Sequence, residues 1–370
     1  MVSISPVDGS IFALTGGYDF RRSHYNRATQ ASRQPGSAFK PFIYSAALEH
    51  GYTAASIVND APVVFQDGAL EGYWRPGNYS GRFYGPTRLR EGLVFSRNLV
   101  SIRVLRDIGV SSAIDHITQF GFNRASLPAD LSLALGSNSA TPVQMARGFA
   151  VFANGGFLIQ PHIIDRVENP NGEVVFAPSS PQTCAHCEDD LRLRGQTNQA
   201  LDVLDIPAVA PRAIDEDNAW LIGDILADVI SRGTGRGALR YLNRSDMAGK
   251  TGTTNDLRDS WFVGHTPDIV TAAWVGFDDQ QTLGARENGA AVALPIWSRY
   301  MSAALKGVAE REPPRPGGMV TVRIDPDTGK VTGADNPDAV FETFRRGRVP
   351  EREEDGDGGG SGRGAERKIF

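Results

Sequence analysis

The sequence predicts an α/β domain of the α+β type, and three observations carry that reading. Strand patterns open the chain and return after residue 246. Helical patterns fill the interval, so one sheet drawing on both ends of the core follows. The 370 residues are 41% hydrophobic and 22% charged, which suits a buried core and excludes a wholly disordered or collagenous chain.

The elements follow in order. Residues 2–7 and 10–15 flank Asp8-Gly9, a hairpin signal. A Gly, Tyr, Arg and Asn loop runs to about Arg33. Residues 37–50, rich in Ala, Phe, Ile and Leu and stopped by Gly51, predict a mostly buried helix. Repeated Gly and Pro make 59–86 loop-like. Helical patterns resume at 87–95, 100–108, 111–120 and 142–153, and a polar loop covers about 165–212. Another helix spans 216–230. Strands are expected at 247–253, 260–264 and 269–276, the last two joined by the hairpin-type link His265-Thr266-Pro267-Asp268. A helix at 295–305 ends the core. Residues 320–334 read as a small hairpin, and the charged, Gly-rich 351–370 as disordered. The expected division is a core domain over 1–310, a small β appendage over 311–345 and an acidic Gly-rich tail over 346–370.

Charge and composition narrow the function. A net charge of −5 argues against a general nucleic-acid binder, which needs excess Lys and Arg for phosphate. No stretch reaches the roughly 18 apolar residues of a membrane span. No signal-peptide pattern opens the chain either. Met1-Val2-Ser3-Ile4 reads like the middle of a fold, so a fragment of a longer protein is expected. Cys184 and Cys187 lie in a polar loop without a second ligand pair. A local disulfide in an oxidising compartment is favoured over free thiols or a metal site.

Three short motifs could carry chemistry. In Gly36-Ser37-Ala38-Phe39-Lys40, helical i,i+3 spacing lets the Ser37 hydroxyl and the Lys40 amine meet. A Lys can activate a Ser only if desolvation or a nearby cation lowers its pKa. Ala38, Phe39, Phe42 and Ile43 supply that desolvation. Alone, the motif reads equally as a surface Ser and Lys on a helix. Ser96-Arg97-Asn98 can place a proton-relaying hydroxyl and a peptide-binding amide in one cleft, although an ordinary N-cap serine explains Ser96 more simply. In Lys250-Thr251-Gly252-Thr253, the glycines permit close approach of an extended peptide. Lys250 and the Thr251 and Thr253 hydroxyls would meet an anion such as a terminal carboxylate. A P-loop fails because position 244 is Arg. Only five residues are Lys, and two of them stand in these motifs.

The order S-x-x-K, S-x-N, K-T-G is that of penicillin-recognising serine enzymes. The flanking text resembles one family, the class A penicillin-binding proteins, and within it the 1A group. The resemblance rests on Asn26-Arg27-Ala28-Thr29-Gln30, on residues 33–42, and on Trp74-Arg75-Pro76-Gly77-Asn78-Tyr79. It continues through Leu135-Gly136-Ser137 with Thr141-Pro142, Arg232-Gly233-Thr234-Gly235, residues 250–255, Asp259-Ser260-Trp261-Phe262 and Pro295-Ile296-Trp297. It covers about residues 1–345. The resemblance implies an antiparallel sheet with helices on both faces and a transpeptidase (penicillin-binding) domain over 1–310. It also implies a parent protein at the periplasmic face of the inner membrane, anchored there, working with cell-wall synthesis partners. The implied ligands are peptidoglycan stem peptides ending in D-Ala-D-Ala, and β-lactams, with no cofactor and no metal.

Carried over by position, the resemblance implies that Ser37 attacks the D-Ala-D-Ala bond and that Lys40 is its base. Ser96, assisted by Lys250, passes a proton to the leaving amine. Asn98 binds the substrate amide, and Thr251, Gly252 and Thr253 hold the carboxylate side. Ser37 and Thr253 backbone N–H groups would form the oxyanion hole. The family's glycosyltransferase region is not expected in this chain. The rival readings are a D,D-carboxypeptidase, a non-catalytic penicillin-binding scaffold or sensor, and a β-lactamase. The last would need a deacylating Glu, and Glu168, Glu173, Glu188 and Glu216 stand in no such context.

Overall fold

The computed structural model describes residues 1–66, 73–177, 180–183 and 209–353. Cys184, Cys187 and the tail from residue 354 lie outside the described residues. In chain order the elements begin with β1 (Val2–Ile4), β2 (Ile11–Leu14) and α1 (Arg27–Gln30). A 3₁₀ turn (Gly36–Phe39) leads into α2 (Lys40–Glu49). Then come β3 (Ile57–Asp60), β4 (Phe65–Gln66), β5 (Tyr73–Trp74) and β6 (Gly85–Arg88). Helices α3 (Leu89–Val94), α4 (Asn98–Ile108), α5 (Val110–Thr118) and α6 (Pro142–Ala153) follow. Next are β7 (Val167–Glu168), β8 (Val174–Phe176) and α7 (Glu216–Ser231). The sheet strands β9 (Ala248–Thr253), β10 (Asp259–His265) and β11 (Val270–Gly276) precede α8 (Ala293–Ala304), β12 (Met319–Ile324) and β13 (Val340–Arg345).

The sheet runs β2-β1-β11-β10-β9, with every pairing antiparallel. Strand alternation sorts side chains to two faces. Trp261 and Val263 of β10 enter the main core with α2, α6 and α7, while Phe262 packs with Ala273, Trp297 and Met301 under α8. Helices therefore cover both faces, as the resemblance implied. β9 is an edge strand, so one of its sides is not paired with another strand.

An aromatic cluster anchors α2. Phe42 has ring centroids 5.0–5.7 Å from Phe39, Phe120, Phe122, Phe149 and Phe152. Such contacts add roughly 0.5–1.5 kcal/mol each beyond area burial. They fix the helix that carries the first motif.

Two expectations are corrected. Residues 59–86 are not all loop: β3 pairs with β6 from Ile57↔Arg88 to Asp60↔Gly85. Dense Gly and Pro hid these short strands. The expected 320–334 hairpin is a different one, because β12 pairs with β13 from Met319↔Arg345 to Ile324↔Val340. Within 320–334 the chain makes a short return over Asp325–Lys330, with one antiparallel bridge at Ile324↔Val331 and the Thr332 N–H donating to the Arg323 carbonyl at 3.0 Å. The buried Phe344 gives β12 an apolar partner, together with Ala55 just before β3. The residues after the turn, Thr332-Gly333-Ala334, supply no comparable alternation.

Candidate active site

The first motif sits where a tight turn meets the sheet edge. Gly36 has φ +55°, and a Cβ there would lie 2.5 Å from the Thr253 carbonyl oxygen. Only glycine meets both demands. Behind the turn, Arg33 Nε pairs with Asp259 Oδ1 at 2.8 Å, and Trp261 Nε1 donates to the Gln34 carbonyl at 2.9 Å. These two contacts tie the segment to β10. Ser37 lies on the 3₁₀ turn, part-exposed, while Lys40 opens α2 and is wholly buried. Pro41 occupies the first turn of α2, where its missing N–H costs no helical bond.

The second motif is not an N-cap. α4 is capped at Arg97, without a side-chain hydrogen bond. Ser96 instead closes α3 in a Schellman arrangement, with φ +56°. Its N–H donates to the Leu93 carbonyl at 3.1 Å, and the Arg97 N–H donates to the Gly92 carbonyl at 2.8 Å. Glycine is the usual residue in that conformation, so a serine there holds its hydroxyl at an expense in backbone strain. Ser96→Ala and Ser96→Gly both lose the hydroxyl, but only the second relieves the strain. Thermal unfolding is expected to find the Gly variant more stable than the Ala variant by about 1 kcal/mol. Equal stability of the two would contradict this account.

The Ser96 hydroxyl lies between two buried amines. Lys250 Nζ donates to Ser96 Oγ at 2.9 Å and to the Thr251 carbonyl at 3.2 Å. Lys40 Nζ lies 2.8 Å from the Ser96 carbonyl, 2.7 Å from Asn98 Oδ1 and 3.3 Å from Ser96 Oγ. Burial first, and Lys250 second, push the Lys40 pKa well below the ordinary lysine value. Burial alone lowers Lys250 to about 7. A neutral amine has two N–H donors and one lone pair. In its deprotonated form Lys40 would satisfy its two donors with the Ser96 carbonyl and Asn98 Oδ1, and its lone pair would be free to accept a hydroxyl proton. Helical spacing alone therefore does not describe the Ser37–Lys40 relation. The Ser37 hydroxyl makes no hydrogen bond among the described residues, and the amine is held by the second motif.

The third motif lies along β9. Thr251 Oγ1 is 2.8 Å from Thr234 Oγ1. Thr253 Oγ1 accepts from the Gly289 N–H at 3.0 Å, which leaves its own proton free to donate. Gly252 serves a different approach from the one expected. A Cβ there would lie 2.3 Å from the Pro35 carbonyl oxygen, so its bareness admits the Ser37 turn rather than a peptide strand.

All of this borders one groove of ≈ 650 Å³, whose lining includes Ser37, Ser96, Asn98, Thr234, Thr251 and Thr253. Lys40 and Lys250 lie beneath its wall. Thr234 and Asn78 also line it, and the three motifs gave no role to either. The signals were Gly-Thr-Gly at 233–235 and an Asn among prolines and glycines, neither of which points to chemistry by itself.

The model of the penicillin binding protein transpeptidase domain matches residues 1–302. Penicillin-binding protein 1A of Pseudomonas aeruginosa is 47% identical over 372 residues, covering 95% of this chain and 45% of that protein. Penicillin-binding protein 1A of Vibrio cholerae is 40% identical, covering 94% of this chain and 45% of that protein. The chain thus spans about half the length of the curated relatives it matches. The crystal structure of penicillin-binding protein 1A from Haemophilus influenzae superposes with a TM-score of 0.87 at 38% identity, covering 95% of this chain and 54% of that one. PonA1 from Mycobacterium tuberculosis in complex with penicillin V gives 0.68 at 26% identity, covering 85% of this chain and 80% of that one. With its fold, its three motifs and these relatives in agreement, the chain belongs to the penicillin-binding protein transpeptidase family.

Proposed function

We propose that this chain is the cross-linking part of a peptidoglycan synthase: a D,D-transpeptidase that works through an acyl-enzyme on Ser37. The observation that carries this is the Ser96 hydroxyl held between two buried lysines beside a groove that exposes Ser37. Lys40 takes the Ser37 proton as the oxygen attacks the carbonyl of D-Ala-D-Ala. The tetrahedral intermediate collapses, and a proton passes through Ser96, assisted by Lys250, to the departing D-Ala amine. A second stem peptide's amine then attacks the ester and releases Ser37. Asn98 binds the substrate amide, while Thr251 and Thr253 receive the terminal carboxylate. The Ser37 and Thr253 N–H groups stabilise the oxyanion, each such donor being worth about 3 kcal/mol.

Penicillins follow the first half of this path, and their ring-opened acyl group stays on Ser37. Asp256 is the only carboxylate among the groove's described lining residues, and it pairs with Arg258 at 3.0 Å. That supports a long-lived ester over one rapidly hydrolysed by an activated water. The parent protein acts at the periplasmic face of the inner membrane, with cell-wall synthesis partners. Among the described residues of this chain, no helix is long and apolar enough to cross a membrane.

The test is intact mass after incubation with benzylpenicillin, followed by peptide mapping. The expected result is one penicilloyl group per chain, on the Ser37 peptide, absent in Ser37→Ala and lasting over many minutes. No adduct on folded protein would overturn the proposal. Rapid loss of the adduct would indicate hydrolysis instead of cross-linking.

A further inference from the structure

The loop that carries Asn78 is the part of the sequence pattern that the three motifs leave unexplained. Asn78 is 8% exposed and lies twenty residues before Asn98 in the chain. Its Oδ1 accepts the Asn98 N–H at 2.8 Å and faces the Leu99 N–H at 3.5 Å. α4 has no side-chain cap of its own, so Asn78 caps that helix from a distant loop. The same loop holds the other end of Asn98, since Asn98 Nδ2 donates to the Gly77 carbonyl at 2.8 Å. Asn98 Oδ1 is thereby left aimed at Lys40 Nζ, at 2.7 Å.

What holds Asn78 is Asp60, which is completely buried on β3. Asn78 Nδ2 donates to Asp60 Oδ1 at 2.8 Å and Oδ2 at 2.9 Å, and to the Arg82 carbonyl at 2.9 Å. Among the described residues the Asp60 carboxylate has no ion-pair partner. An amide looks nearly the same when flipped, but its two ends differ in chemistry. Flipped, Asn78 would turn its oxygen on a carboxylate and its NH₂ on two N–H donors. The Asp60 carboxylate permits only the observed orientation.

We propose that Asn78, oriented by the buried Asp60 carboxylate, is the positioning residue that fixes Asn98 and, through it, the Lys40 amine for attack. The inference rests on the transpeptidase reading above. Neither residue touches the reacting atoms. Each acts by narrowing the positions open to Lys40, and an ångström of misplacement of a reacting group costs about a hundredfold in rate.

The charged groups facing Lys40 are Lys250 on β9, Asp60 on β3 and Arg97 before α4. Of these only Asp60 favours the ammonium form, while Lys250 and Arg97 oppose it. Removing the Asp60 charge therefore lets Lys40 lose its proton at lower pH.

The test measures second-order acylation by benzylpenicillin across pH in wild type, Asn78→Leu, Asn98→Ala, the double variant and Asp60→Asn. Asn78→Leu is expected to be acylated about a hundredfold more slowly, while still reaching one adduct on Ser37. The double variant should be little slower than Asn98→Ala, because both changes act on one contact. Losses that simply multiply would overturn the proposal. Asp60→Asn removes the carboxylate that fixes the amide's orientation, so it should slow acylation as Asn78→Leu does, besides shifting the acid limb to lower pH; an unchanged rate at the pH optimum would also overturn the proposal. If Asn78→Leu fails to fold, the Asp60→Asn rate decides alone. Absence of any adduct on wild type would instead defeat the transpeptidase reading.

Discussion

Lys40→Met is expected to remain folded and to be acylated by benzylpenicillin about a thousandfold more slowly than wild type. The site is fully buried, and Met nearly conserves the volume of the lysine stem, so packing survives. What disappears is a base. Positioned general bases contribute roughly 10²–10⁴-fold, and a serine hydroxyl without one is a poor nucleophile. The environment tells which form of Lys40 acts. Desolvation, then the neighbouring Lys250, lowers its pKa well below the ordinary value. The neutral amine is thus available at a pH where an exposed lysine would be an ammonium. The sign of the pH dependence follows: acylation falls as pH drops through the lowered Lys40 pKa, because protonation fills the lone pair that Ser37 needs. Lys40→Met should lose this acid limb along with the rate. A Met variant within tenfold of wild type would move the base role to another group, and Lys250, held at about 7 beside the same hydroxyl, is the candidate that Lys250→Met would then test.

Much of this was legible in the sequence, but unevenly. Long apolar helices and the strands after residue 246 carry clear periodicity, and α6 and α7 fall within a residue or so of expectation. The motif residues were found because lysine is scarce and two of five stand beside Ser, Thr and Gly at tell-tale spacing. Their relations were harder to see. Local spacing paired Ser37 with Lys40, whereas the folded chain brings Lys40 to Ser96 across 56 positions and Lys250 to Ser96 across 154. Long-range contacts leave no periodic trace. Ser96 read as an N-cap because serine commonly caps helices. Its positive φ is a strained exception of the kind that sequence rules miss at functional sites. The roles of Asn78 and Asp60 were hidden for a related reason, since a segment rich in Gly and Pro looks like any surface loop until its side chains are seen pointing inward.

The second large expected effect concerns the C-terminal strands β12 and β13. Arg90→Met should destabilise the protein by about 3 kcal/mol in urea or thermal unfolding. Arg90 sits on α3, six residues before Ser96, and makes a two-pronged pair with Glu342 of β13 at 2.7 and 2.8 Å. The same guanidinium also reaches Asp224 at 2.5 Å and Asp228 at 3.1 Å, both on α7. Glu342 is 1% exposed, and its next nearest cation, Arg88, lies 3.5 Å away. Surface pairs such as Arg27–Asp278 are worth little, because water and salt screen them. The Arg90–Glu342 pair differs because removing Arg90 leaves the buried Glu342 carboxylate only the longer contact with Arg88 to offset its desolvation. The expected loss should accordingly persist in 0.5 M salt. A double variant, Arg90→Met with Glu342→Leu, should recover part of it, since the buried Glu342 charge is gone while the half-exposed Asp224 still lacks its cation. If the double variant is as unstable as the single one, packing rather than charge joins these strands to α3. If Arg90→Met is as stable as wild type, these strands contribute nothing to the helix whose end carries Ser96. That second result would detach the C-terminal strands from the active site altogether. The expected one makes them a brace for the strained turn on which both lysines converge.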